Sequence, residues 1–107
     1  MDMVKNNRGD ALLDAHKIIN GERQDSYGNP ENSFSVIARY WSVFLRQKHG
    51  VICDFESEDV AIMMALMKIA RMGNGAGTKD SAVDCCGYIA LAEDMLSKKR
   101  KPTGSSE

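Results

Sequence analysis

Asp80 and Asp84 stand four residues apart, with Tyr88 four further on, and this is the most concentrated chemistry in the chain. At about 100° per residue, a helix would carry all three in one slowly turning stripe. Val83, Cys86, Gly87 and Ala90 would then line an adjacent face of small and apolar groups. Carboxylates one turn apart can hold a divalent cation between them. They can equally answer the partial positive charge of a helix start. Asp84 lies beyond the first turn, so that second motive does not reach it.

Other acids occupy comparable places. Glu22 falls near the end of the first helical region, and Glu58 and Asp59 open the third. Metal sites in helical bundles are assembled this way, from carboxylates on facing helices. Mg²⁺ in particular takes a few carboxylates, several waters and substrate phosphates. The candidate metal ligands are therefore Glu22, Asp59, Asp80 and Asp84. Arg23, Lys68, Arg71 and Lys79 are cations able to hold phosphate oxygens not bound to metal. Lys79 would sit with the free N–H groups of its helix start, a natural anion site. Tyr27, Tyr88 or Trp41 would offer a base an aromatic face. The plain alternative stands beside this: Glu58, Asp59 and Asp80 are where any helix accepts acids.

Other chemistries are poorly provided for. His16 and His49 have no second His or Cys at zinc spacing. His16 reads as a hydrogen-bonded residue at the core edge, and His49 as part of a helix C-terminus. Cys85 and Cys86 are adjacent, so on a helix they point about 100° apart and do not pair. With Cys53 they read as small core fillers in a reduced, cytoplasmic protein. The glycine-rich stretch over residues 73–77 follows a helix rather than a strand and matches neither phosphate-binding fingerprint, so it reads as a connection.

The elements that must position these groups are helical. The chain has 107 residues, 43% hydrophobic and 27% charged, with a formal net charge of -1. That fits one domain with no general attraction to nucleic acid or to an anionic membrane. Its longest apolar run, residues 60–67, is far short of the roughly 20 residues that span a bilayer. Residues 1–8 read as a flexible arm, 9–101 as the domain and 102–107 as a disordered tail. Asp10 would cap a first helix with Leu12, Leu13, His16 and Ile19 on its apolar side. Asn29 and Pro30 would start a second helix, over 31–48, with a stripe of Phe34, Ile37, Ala38, Trp41, Phe44 and Leu45. Ile52 and Phe55 would dock the next connector, and Ser57 would cap a third helix over 58–72. The fourth runs from about residue 79 or 80 to 99, and the basic residues 98–101 read as its solvated last turn. Because the third helix is apolar on every side, three companions of this length do not cover it, and an oligomer is expected.

Three blocks carry a resemblance. They are Glu22-Arg23-Gln24-Asp25-Ser26-Tyr27-Gly28-Asn29-Pro30, then residues 59–71, then Asp80-Ser81 with Asp84, Gly87 and Tyr88. Together these blocks, 31 of the 107 residues, resemble a family of small phage and prophage proteins that carry a domain of unknown function. More distantly, the chain is similar to the all-α nucleotide pyrophosphatases of the MazG and dimeric dUTPase type. That resemblance implies an all-α, MazG-like four-helix bundle completed by homo-oligomerisation as a homodimer or homotetramer, with Mg²⁺ held by helix-borne acids. It also implies cleavage of a nucleoside triphosphate between its α- and β-phosphates. Asp84 with Gly87 and Tyr88 matches the acidic end of one superfamily motif, whose glutamate position is Ser81 here. The second motif would need Glu56 or Glu58 with Asp59, and no acid follows through Met63.

The leading expectation is a Mg²⁺-dependent nucleoside triphosphate pyrophosphohydrolase in the host cytoplasm. Its nucleotide contacts would be Arg23, Tyr27, Lys68, Arg71, Lys79 and Tyr88. A non-catalytic protein that sequesters a nucleotide, including a cyclic signal of host defence, is the alternative. An oligomeric interaction protein whose acids are only helix starts is the third.

Overall fold

The computed structural model describes residues 7–20, 29–75 and 79–100. They form four helices, α1 (Asn7–Asn20), α2 (Pro30–His49), α3 (Ser57–Gly73) and α4 (Lys79–Arg100), with no strand among the described residues. The all-α expectation therefore holds. Asn7 and Arg8, expected in the arm, already belong to α1, and residues 1–6 lie outside the described residues. The expected tail, residues 102–107, lies outside the described residues.

Local chemistry sets the helix ends. The Asn29 side chain accepts a hydrogen bond from the Glu31 N–H at 2.8 Å, and Pro30 follows as the first helical residue. Gly50 closes α2 in the left-handed conformation (φ 68°) and returns its N–H to the Arg46 carbonyl at 3.0 Å. The start of α3 differs from the expectation. Glu56, not Ser57, is its cap residue, and Asp59 Oδ2 accepts from the Glu56 N–H at 2.8 Å. Ser57 is the first helical residue, and its hydroxyl donates to the Glu31 carbonyl at 3.3 Å. Asp10 likewise lies in the first turn of α1 rather than capping it.

The α3–α4 pair is the centre of the molecule, with α1 resting on α4 and α2 mainly on α3. Contacts Lys99–Glu58 and Lys68–Asp84 make α3 and α4 antiparallel. Contacts Lys79–Asp14 and Gly87–Ile19 make α1 parallel to α4. Residues 50–56 turn back along α2: the Phe55 N–H donates to Ser42 Oγ at 2.9 Å, and Phe55 packs edge-on against Trp41 at 6.1 Å. This return brings the start of α3 beside the start of α2. Of the two residues expected to dock the connector, Phe55 does so and Ile52 is 76% exposed.

The core is built from small side chains. Ala15, Ala38, Val60, Ala61, Ala65, Val83, Ala92 and Met95 are buried. Gly87 is buried too, and a Cβ there would lie 3.3 Å from Ile19 Cγ2, so the glycine lets α1 approach α4 closely. The expected apolar side of α1 is largely turned out instead, and one residue of the α2 stripe is exposed. On α1 the buried residue is Ala15, while Leu12 and Leu13 are exposed. His16 is also exposed, and its Nδ1 pairs with the Asn20 side-chain amide at 3.2 Å. On α2 the stripe is half-buried up to Leu45, but Phe44 is exposed. On α1 the contact falls on the face of the small Ala15, where backbones can come closer.

Candidate functional site

The acids singled out by spacing lie along the amino-terminal half of α4 and the facing part of α3. Asp84 projects from the second turn of α4 towards α3, where its Oδ2 lies 3.0 Å from Lys68 Nζ. Both side chains are about four-fifths covered, so each neutralises the other in a poorly solvated seam. One expected metal ligand and one expected phosphate contact have thus found each other. Asp59 is tied to the Glu56 backbone as described, and Asp80 sits exposed in the first turn of α4. Lys79 reaches the α1 carboxylate Asp14 at 3.1 Å, which raises its pKa above the usual lysine value. Arg71 is exposed near the end of α3, and Tyr88 is half-buried with its ring 6.3 Å from Phe34. Glu22, Arg23 and Tyr27 lie outside the described residues. Among the described residues no three of His, Cys, Asp and Glu come together as a metal-holding group.

The other half of α4 holds what the spacing did not reveal. A cavity of about 350 Å³ lies between the end of α1, the start of α2 and α4. Ile19, Pro30, Ala90, Leu91 and Met95 supply its apolar wall. Asn20, Asn29, Glu31, Asp94 and Lys98 supply its polar groups. Asn20 and Asn29, which flank residues 21–28 in the sequence, both line it. Lys98 Nζ sits between Glu31 Oε1 at 3.1 Å and Asp94 Oδ2 at 3.4 Å. The hydrogen bond to Glu31, with the charge of Asp94, holds the Lys98 pKa above the usual lysine value.

The start of α2 is not an open anion site. Pro30 has no N–H, Glu31 donates to the Asn29 side chain, and Asn32 and Ser33 both donate to the Asn29 carbonyl. Any anion in the cavity must therefore rely on Lys98 and on side-chain amides.

Beside the cavity, Lys99 binds Glu58, whose side chain is almost fully covered, and reaches Glu56 at 3.3 Å. Burial alone would raise the Glu58 pKa, but the Lys99 hydrogen bond, the helix N–H and the Lys99 charge together hold it below the usual glutamate value. The basic end of α4 is thus no merely solvated turn: Lys98 and Lys99 fasten α4 to the starts of α2 and α3. The Asp94–Lys98 spacing of four was a readable signal for part of this. The partners Glu31 and Glu58, 67 and 41 residues away, were not.

A family profile described as Domain of unknown function (DUF6378) matches residues 10–96. The chain is 40% identical over 84 residues to the Gene 55 protein of Mycobacterium phage L5, covering 78% of this chain and 51% of that protein. It is 39% identical over 82 residues to the Gene 55 protein of Mycobacterium phage D29, covering 77% and 50%. The chain thus spans about half the length of these curated relatives. No solved structure matches it.

Proposed function

The chain belongs to the DUF6378 family, which has phage-encoded members, and from that footing we propose that it binds a nucleotide in the cavity between α1, α2 and α4. One observation carries the reading. A concave space of nucleotide size joins an apolar wall to Asn20, Asn29, Glu31, Asp94 and Lys98. The amides and carboxylates suit the hydrogen-bonding edge of a base, and Lys98 suits a phosphate. Two carboxylates flank that lysine, so a Mg²⁺-complexed nucleotide suits the lining better than a bare polyanion. No helix among the described residues is long and apolar enough to cross a membrane, and the host cytoplasm is the proposed place of action.

Binding has more support than turnover. Pyrophosphohydrolysis with Glu22, Asp59, Asp80 and Asp84 on Mg²⁺ would require Asp84 to release Lys68, leaving a mostly covered ammonium without its counter-charge. It would also require Asp59 to give up the α3 cap.

Thermal-shift measurements on the full chain, with Mg²⁺ and a panel of nucleoside mono-, di- and triphosphates and cyclic nucleotides, test the reading. At least one nucleotide should raise the melting temperature and be recovered intact, and Lys98→Ala should lose the shift while remaining helical. No shift across the panel overturns the proposal. Pyrophosphate release that disappears in Asp84→Ala would replace it with the hydrolase.

A further inference from the structure

The hydrogen bonds around the cavity leave an uneven set of polar groups for a ligand. Asn20 Nδ2 donates to the His16 carbonyl at 3.1 Å and lies 3.2 Å from His16 Nδ1, so its Oδ1 is left to accept. Asn29 is the reverse: its Oδ1 takes the Glu31 N–H at 2.8 Å, and its Nδ2 is left to donate. Glu31 meets Lys98 through Oε1 at 3.1 Å and Asp94 meets it through Oδ2 at 3.4 Å. The second oxygen of each carboxylate is bonded to no described residue. Acceptors therefore outnumber donors in this lining, and a matching ligand brings an edge rich in N–H groups.

The place of Asp94 narrows that edge. Ala90 and Leu91 precede it by four and three residues, so its carboxylate shares a face of α4 with the apolar wall. It is also the less committed of the two acids, with the longer contact to Lys98. A planar base laid on Ala90 and Leu91 would turn its hydrogen-bonding edge to Asp94. A carboxylate accepts best from two parallel N–H groups. Among the five common bases only guanine carries two adjacent donors on that edge, N1–H and the 2-amino group. Adenine and cytosine set a ring acceptor beside their amino group, and uracil and thymine set a carbonyl on each side of one N–H. Each of those four would turn a lone pair towards Asp94, which has no proton to give. The O6 of guanine, next along the edge, suits an amide donor such as Asn29 Nδ2.

We propose that the ligand is a guanine nucleotide and that Asp94 reads its base. This rests on the nucleotide-binding reading above and adds the identity of the base. Lys98 serves the phosphate. The Asp94 side chain is 62% exposed, so water competes for it, and each contact to the base is worth about tenfold rather than the far larger factors of a closed site.

Titration calorimetry on the full chain with Mg²⁺ and GMP, IMP and AMP, and with the three matching triphosphates, isolates the base because each set shares its ribose and phosphates. The guanine nucleotide should bind most tightly. Its inosine counterpart, which keeps N1–H and lacks the 2-amino group, should bind about tenfold more weakly, and the adenine one weaker still. Asp94→Asn should narrow the gap from both sides, because an amide sets a donor beside an acceptor as the adenine edge does. Equal affinities for the guanine and inosine forms, tighter binding of the adenine form, or a guanine preference that survives Asp94→Asn overturns the base assignment alone and leaves nucleotide binding in place. Silence from all six also overturns it. A pyrimidine nucleotide that still raises the melting temperature would then preserve the cavity reading, and no response to any nucleotide would remove that reading as well.

Discussion

The two halves of α4 use their charges differently. The amino-terminal half carries the acids whose spacing drew attention, yet in the fold Asp84 neutralises Lys68 within the α3–α4 seam and Lys79 pairs with Asp14 of α1. The carboxyl-terminal half looked like a solvated basic end. It instead binds the starts of α2 and α3 through Lys98 and Lys99 and forms one wall of the cavity. Chemistry-rich spacing marked a seam between helices, and a routine charge run marked the rim of the concave site.

The sharpest test of this contrast is crowding the close approach in the first half. Gly87→Leu would drive a branched side chain into Ile19 and should cost about 2–3 kcal/mol in chemical denaturation. Gly87→Ala should be close to neutral. The 3.3 Å contact asks the half-buried Ile19 to yield slightly, and a helix-propensity gain of about 1 kcal/mol offsets that.

In the second half, Lys99→Ala strips the covered Glu58 of its partner and should cost about 1–2 kcal/mol by urea denaturation at neutral pH. The pH dependence gives a separate signature. The Glu58 pKa is lower in the folded chain than its ordinary value of 4.5, so its stabilisation is fully present above that value. It fades as pH falls through the folded pKa. The parent chain should therefore lose more stability between neutral pH and pH about 3 than Glu58→Gln does. Equal losses would break the claim that this end is fastened by charge.

Asp84→Asn should cost about 1 kcal/mol, because the amide still fills the seam but leaves Lys68 without a counter-charge. A loss near zero would return Asp84 to the role of a surface helix acid. The smallest expected effect is on thiol reactivity. Burial, and then the neighbouring Cys86, raise the Cys85 pKa, so alkylation at neutral pH should be slower than for an unfolded control. Rapid labelling would mean that this part of the α4 seam opens readily.

Much of the fold was legible before any coordinates. Asn29 and Pro30 announced the start of α2, Gly50 its end, and the apolar residues of α3 announced a helix with two faces to cover. These are local effects: a cap, a fixed φ and a 3.6-residue period act within a turn or two. The Ser57 cap was misplaced by one residue because Glu56 and Asp59 cap α3 through a pairing that serine spacing does not reveal. Leu12, Leu13 and Phe44 were misassigned because periodicity identifies an apolar face without saying which face finds a neighbour.

The candidate site divides the same way. The sequence alone determined that acids and bases would lie on helices, and which of them share a stripe. Only the tertiary structure decided that Asp84 meets Lys68, that Glu31 and Asp94 share Lys98, and that the end of α1, the start of α2 and α4 line one cavity. The reason is one of range. Helix periodicity relates residues three or four apart, whereas charge pairing depends on helix direction and rotation. Those were set here by the return of residues 50–56 and by small groups such as Ala15, Ala65 and Gly87 letting backbones close together.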